Sequence, residues 1–124
     1  MLQINYGMPT LIETSTLEEC AKLCAELGLD FIELNMNLPQ YQLDKINLNS
    51  LKSIADKYGI FYTIHLDENL NVCDFNSYVA EAYKKTVIDT IEIAKQLEVR
   101  AAPRGNCLPQ FPVCCETTSG TVER

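Results

Sequence analysis

The stretch Gly28-Leu29-Asp30-Phe31-Ile32-Glu33-Leu34-Asn35 and its echo Gly59-Ile60-Phe61-Tyr62-Thr63-Ile64-His65-Leu66 decide the architecture. Each opens on a glycine suited to ending a helix in the left-handed conformation, then runs into strand-forming residues. Side chains alternate between the two faces of a strand. Ile32 and Leu34 therefore oppose Phe31, Glu33 and Asn35, while Tyr62, Ile64 and Leu66 oppose Phe61, Thr63 and His65. One face is aliphatic and suits packing under helices. The other grows polar toward the C-terminal end of each strand. An open doubly wound sheet, covered on both faces, needs near-continuous apolar strands instead. Polar groups at the inner, C-terminal mouth are what a barrel of parallel strands uses.

Working outward, the same unit recurs. Strand-like runs begin near Leu2, Phe31 and Ile60, a period of about 29 residues, and each leads into a helical pattern. Strand-then-helix repetition predicts a parallel sheet and an α/β fold. The first strand is expected to place Leu2 and Ile4 on the aliphatic side and Gln3 and Asn5 on the polar side. Ser15-Thr16-Leu17-Glu18 reads as a capping box opening the first helix. Its inner stripe is Leu17, Cys20, Ala21, Cys24 and Leu27, and Gly28 ends it. The second helix starts near Asn47, presents Leu48, Leu51, Ile54, Ala55 and Tyr58, and ends at Gly59. The third spans about residues 76–97 and is expected to bury Val79, Tyr83, Val87, Ile91 and Ala94.

The 124 residues carry 10 Lys and Arg against 17 Asp and Glu, for a net charge of −7. Such an acidic chain lacks the positive field that nucleic-acid backbones or anionic membranes attract. No apolar run reaches the ~18 residues of a membrane span, and Met1-Leu2-Gln3-Ile4-Asn5 has no basic region for a signal peptide. A cytoplasmic protein is expected.

Composition breaks after Val99. Residues 1–99 hold seven Lys and no Arg, whereas residues 100–124 hold Arg100, Arg104, Arg124 and no Lys. The latter also contain Cys107, Cys114, Cys115, Pro103, Pro109 and Pro112, and hydrophobic periodicity stops. Residues 1–99 are thus read as one domain built of repeated βα units. Residues 100–124 are read as an irregular, atypical tail, either disordered or produced by a frameshift. An ordinary polar extension is the alternative.

With these motifs in place, the sequence resembles the xylose-isomerase-like TIM barrels, the superfamily of sugar phosphate isomerases/epimerases and family 2 AP endonucleases. Gly28-Leu29-Asp30-Phe31-Ile32-Glu33-Leu34 matches the family's second strand, and Ile60-Phe61-Tyr62-Thr63-Ile64-His65-Leu66 a third strand ending in His. The resemblance covers residues 2–99, about three and a half of eight βα units, so the expected fold is α/β, a partial (βα)8 barrel. It implies isomerisation or epimerisation of a small-molecule sugar or sugar phosphate, assisted by a divalent metal (Mn, Mg, Co or Zn) acting as Lewis acid. The family's metal ligands come from later strands that have no counterpart here. The chain is accordingly expected to bind no metal and to be inactive alone, with no complete catalytic set.

The residues placed for substrate binding are His65, Glu33, Asn35 and Asn5. In an endonuclease-like reading His65 becomes a metal ligand, although the net charge argues against a nucleic-acid partner. A non-catalytic reading also follows, in which a half-barrel folds or functions by self-association through its open sheet edges.

Other motifs are weaker. Residues 67–74 alternate oxygen ligands as a calcium loop does, but Val72 stands where glycine is required and Tyr78 where glutamate is. Asn/Asp turns explain that loop better. Cys20 and Cys24 fall on a buried stripe as core packing. Cys107, Cys114 and Cys115 lack zinc-ligand spacing.

Overall fold

A computed structural model describes residues 3–99, and the expectations for residues 100–124 lie outside the described residues. The order is β1 (Gly7–Pro9), α1 (Leu17–Glu26), β2 (Phe31–Asn35), a 3-10 turn (Pro39–Tyr41), α2 (Leu48–Tyr58), β3 (Phe61–His65) and α3 (Ser77–Gln96). The three strands form one open sheet in the order β1-β2-β3, with both pairings parallel. The fold is α/β, built of successive strand–helix units.

The helix ends explain the repeat. After α1, Gly28 adopts φ +67°, Gly28 donates to the Ala25 carbonyl at 3.0 Å, and Leu29 donates to the Cys24 carbonyl at 2.9 Å. This paired closure satisfies carbonyls that the helix leaves open and turns the chain into β2. Gly59 repeats it with φ +65° and Ile60 donating to Ala55 at 3.1 Å. Glu98 fills the same slot after α3, with φ +50° and Val99 donating to Ala94 at 2.9 Å. The third junction thus keeps the geometry without the glycine.

The N-termini are capped by Thr16, Asn47 and Asn76, whose side chains accept from Glu19, Ser50 and Tyr78. The first cap lies one residue beyond the expected Ser15. Glu19, rather than Glu18, reaches back, accepting the Ser15 amide at 2.7 Å. Glu18 is instead free to pair with Lys57 and to accept from the Tyr58 hydroxyl at 3.2 Å, joining α1 to α2.

The core lies between one sheet face and α1 with α2. Cys20, Ala21, Cys24, Ile32 and Leu34 are fully buried, and Leu51, Ile54, Ile60 and Tyr62 complete the cluster. Short side chains on α1 let it settle close to β2. The Cys24 thiol reaches 3.5 Å from the Phe31 carbonyl, and burial pushes both thiols up from their ordinary pKa. Tyr62 crosses beneath α2, where its hydroxyl donates to the Leu51 carbonyl at 2.9 Å.

Three expectations shift. The first strand begins at Gly7 instead of Leu2, because the chain is held to β2 by Tyr6 and Asp30, whose backbones and carboxylate exchange bonds at 2.7 and 2.9 Å. Asn5 therefore precedes the strand. Secondly, α3 buries only Thr90 among its 20 residues, and Ile91 is 62% exposed instead of buried. Thr86 and Thr90 bond back to carbonyls one turn earlier within the helix, and the Thr90 hydroxyl also sits 3.9 Å from the Met36 sulfur, a contact that reaches beyond α3. Leu27, expected on the α1 stripe, is also exposed.

Candidate functional site

Parallel pairing puts partners in register on the same side of a sheet, so β2 and β3 fix the site. Phe31 pairs with Phe61, Glu33 with Thr63, and Asn35 with His65. Ile32 and Leu34 go under the helices, which sends this odd-numbered set to the other face. That face is layered. At the strand starts the rings of Phe31 and Phe61 stack with centroids 5.2 Å apart. At the strand ends Glu33, Asn35 and His65 gather, as their positions in the sequence predict.

His65 sits between two carboxylates. Its Nδ1 is 3.6 Å from Glu33 Oε1 and its Nε2 is 3.6 Å from Glu68 Oε1. The side chains of His65 and Glu33 are about a third exposed, so they meet solvent without leaving the sheet. Both separations exceed a direct hydrogen bond. The ring nitrogens and the two carboxylates therefore keep hydrogen-bonding capacity for a small polar group at this face.

Loop bonds hold this mouth together. Thr10, just beyond β1, donates its amide to the Glu33 carbonyl at 2.9 Å, and its hydroxyl accepts the Asn35 amide at 3.1 Å. Asn35 Oδ1 accepts from the side chain and the backbone of Asn37, both at 3.0 Å. Asn37 Oδ1 in turn accepts the Glu68 amide at 2.9 Å. The loops after β2 and β3 are thus stitched across the face that carries His65. Asn35 acts here as a structural link as much as an open polar group.

Asn5 is not brought to the site. It lies before β1, beyond the strand starts, whereas Glu33 and His65 lie toward the strand ends, with Pro9 opposite Glu33 in register. Glu68, Asn37 and Thr63 belong to the cluster, yet the sequence singled out none of them as binding residues. The signal for Glu68 was its place three residues beyond His65. The signal for Thr63 was its odd-numbered position between Phe61 and His65.

Charge is one-sided. Glu33, Asp67 and Glu68 lie at or beside the cluster, while the lysines of the described residues sit on α1, α2 and α3 or, as Lys45, in the loop ahead of α2 beside Asp44. As a metal centre the cluster does not fit. The two glutamates approach opposite ring nitrogens, and no group of three His, Cys, Asp or Glu suited to a metal occurs among the described residues. A cleft of about 330 Å³ lined by Lys52, Asp56, Phe61, Gln96 and Glu98 holds none of the cluster residues. Among the described residues no helix is long and apolar enough to cross a membrane. No family model matches the chain, and no curated protein matches it closely enough to place it.

Proposed function

We propose that the strand–helix units of this chain are part of a xylose-isomerase-like (βα)8 barrel, and that its polar sheet face binds a sugar or sugar phosphate. The observation that carries this reading is the approach of Glu33 and His65 to 3.6 Å on one face of adjacent parallel strands. The mouth of a parallel barrel is where that architecture binds its ligands. A carboxylate that accepts hydroxyl protons, beside an imidazole that can donate or accept, suits vicinal hydroxyls. Asn35, through Asn37, holds the loop that carries Glu68 beside the pair.

In the parent chemistry a divalent cation polarises the sugar's oxygens. The residues described here offer no three-ligand site for one, so their part is to bind and orient the sugar. By itself the chain is expected to convert no aldose or ketose. Titration of the full chain with a panel of aldoses, ketoses and their phosphates, following the single histidine by NMR, tests binding. A panel that leaves the imidazole unmoved ends the reading. Robust turnover with added Mn²⁺ or Mg²⁺ overturns the inactive part of it.

A second reading, self-association, has its own support in α3. Ile88 and Ile91, three residues apart on that helix, are 55% and 62% exposed. Pairing of two copies would bury them, and a clean monomer by light scattering at tens of micromolar counts against it.

A further inference from the structure

Thr63 lacks the partner that its burial demands. It is 4% exposed, and its hydroxyl oxygen makes no hydrogen bond among the described residues. It lies directly across from Glu33 in the β2–β3 register and two residues before His65, so the three share one face. Glu33 and Glu68 each stop 3.6 Å from a His65 nitrogen. A buried hydroxyl left unsatisfied is destabilising. Neither carboxylate is tied to the imidazole by a direct hydrogen bond, so both keep acceptor capacity for a ligand hydroxyl.

Charge narrows the choice of ligand. A phosphate dianion at this face would meet Glu33 and Glu68 with no lysine among the described strand residues to offset them. A neutral polyol meets no such repulsion. One of its hydroxyls can donate to Glu33 while accepting from Thr63, which satisfies both groups at once.

We infer that Thr63 is a ligand-contacting residue and that this face takes an uncharged polyhydroxy compound in preference to its phosphate ester. The inference rests on the sugar-binding reading above and adds to it a contact residue and a selection by charge. Glu33 and His65, both partly exposed, are the side chains that shift to admit the ligand to the hydroxyl.

The test titrates the full chain with D-fructose, D-fructose 6-phosphate and inorganic phosphate, following the His65 imidazole by NMR. It is repeated for Thr63→Val and Thr63→Ser. Fructose is expected to shift the imidazole saturably, with the phosphate ester at least ~10-fold weaker and inorganic phosphate silent. Thr63→Val should weaken fructose by ~10-fold or more, the loss of one hydrogen bond, while Thr63→Ser retains binding. The melting temperature of Thr63→Val should hold or rise, because a methyl replaces an unsatisfied hydroxyl. Equal or tighter binding of the phosphate ester overturns the inference but leaves the sugar reading standing. So does a Thr63→Val variant that binds fructose like the parent, whatever its melting temperature. Silence toward fructose and its phosphate alike defeats the inference, and the wider panel above decides separately whether the sugar reading survives.

Discussion

The ring of Phe31 lies across the bare backbone of Gly7. A Cβ added at Gly7 would come within 2.3 Å of the Phe31 ring, which is itself stacked on Phe61. The glycine is therefore required for close approach and not for an unusual φ. Gly7→Ala must push the ring off its stack or lift β1 from β2, at a cost of ~1–3 kcal/mol. Denaturant unfolding measures this. Because the clash is with one side chain, Phe31→Leu in the same chain should recover part of the loss, and strict additivity of the two changes would contradict the account.

Glu98 holds a left-handed conformation that glycine supplies at the other two helix ends. For a residue with a Cβ this costs ~1–2 kcal/mol, partly offset by the greater entropy glycine brings to the unfolded chain. Glu98→Gly is thus expected to raise stability by ~0.5–1 kcal/mol, whereas Gly59→Ala should lower it by a similar amount. Thermal melts of the two variants should move in opposite directions.

Burial raises the Tyr62 hydroxyl pKa well above its usual 10.0. The sign follows from linkage. Below pH 10 the phenol is neutral both folded and unfolded, and its contribution is fully present. Above pH 10 only the unfolded chain ionises readily, so stability falls by ~1.4 kcal/mol per pH unit until the folded pKa is passed. Unfolding free energies measured between pH 9 and 11 should show this descent at Tyr62. In Tyr62→Phe that part of the slope should vanish, while the loss of its bond to Leu51 costs ~1 kcal/mol at neutral pH.

The Glu18–Lys57 pair is solvent-exposed, and its contribution is small and screened by salt. Lys57 holds the Glu18 carboxyl below its usual 4.5, and Glu18 holds the Lys57 ammonium above its usual 10.5. The pair's contribution is present between those values. It is lost as pH falls through the carboxyl's lowered pKa or rises through the ammonium's raised one. Lys57→Ala should therefore change stability more at pH 7 in low salt than at pH 2 or in molar salt.

Cys20 and Cys24 have no exposed surface and raised thiol pKa values. Thiolate is the reactive form, so both should resist iodoacetamide at pH 8 until the chain unfolds. Peptide mapping of alkylated protein reads each site separately. Rapid native-state labelling at Cys24 would mean that α1 does not sit on β2 as described.

Much of this was written in local sequence. The glycines at 28 and 59 marked the helix ends because only a residue without a side chain enters that conformation freely. The alternation in β2 and β3 sorted Ile32 and Leu34 from Glu33, Asn35 and His65, since the strand period is fixed by covalent geometry. Tertiary structure decided the rest. The pattern alone pointed to a first strand from Leu2, whereas pairing with β2 and the close approach of Phe31 over Gly7 put it at Gly7–Pro9. The orientation of α3 depended on where Thr90 meets Met36, a contact 54 residues apart in sequence. The same holds for the site: Glu33 and His65 each pointed the right way by parity alone. That Glu68 flanks the second ring nitrogen, that Asn37 ties the two loops and that Thr63 is left without a partner depend on neighbours only the folded sheet brings together.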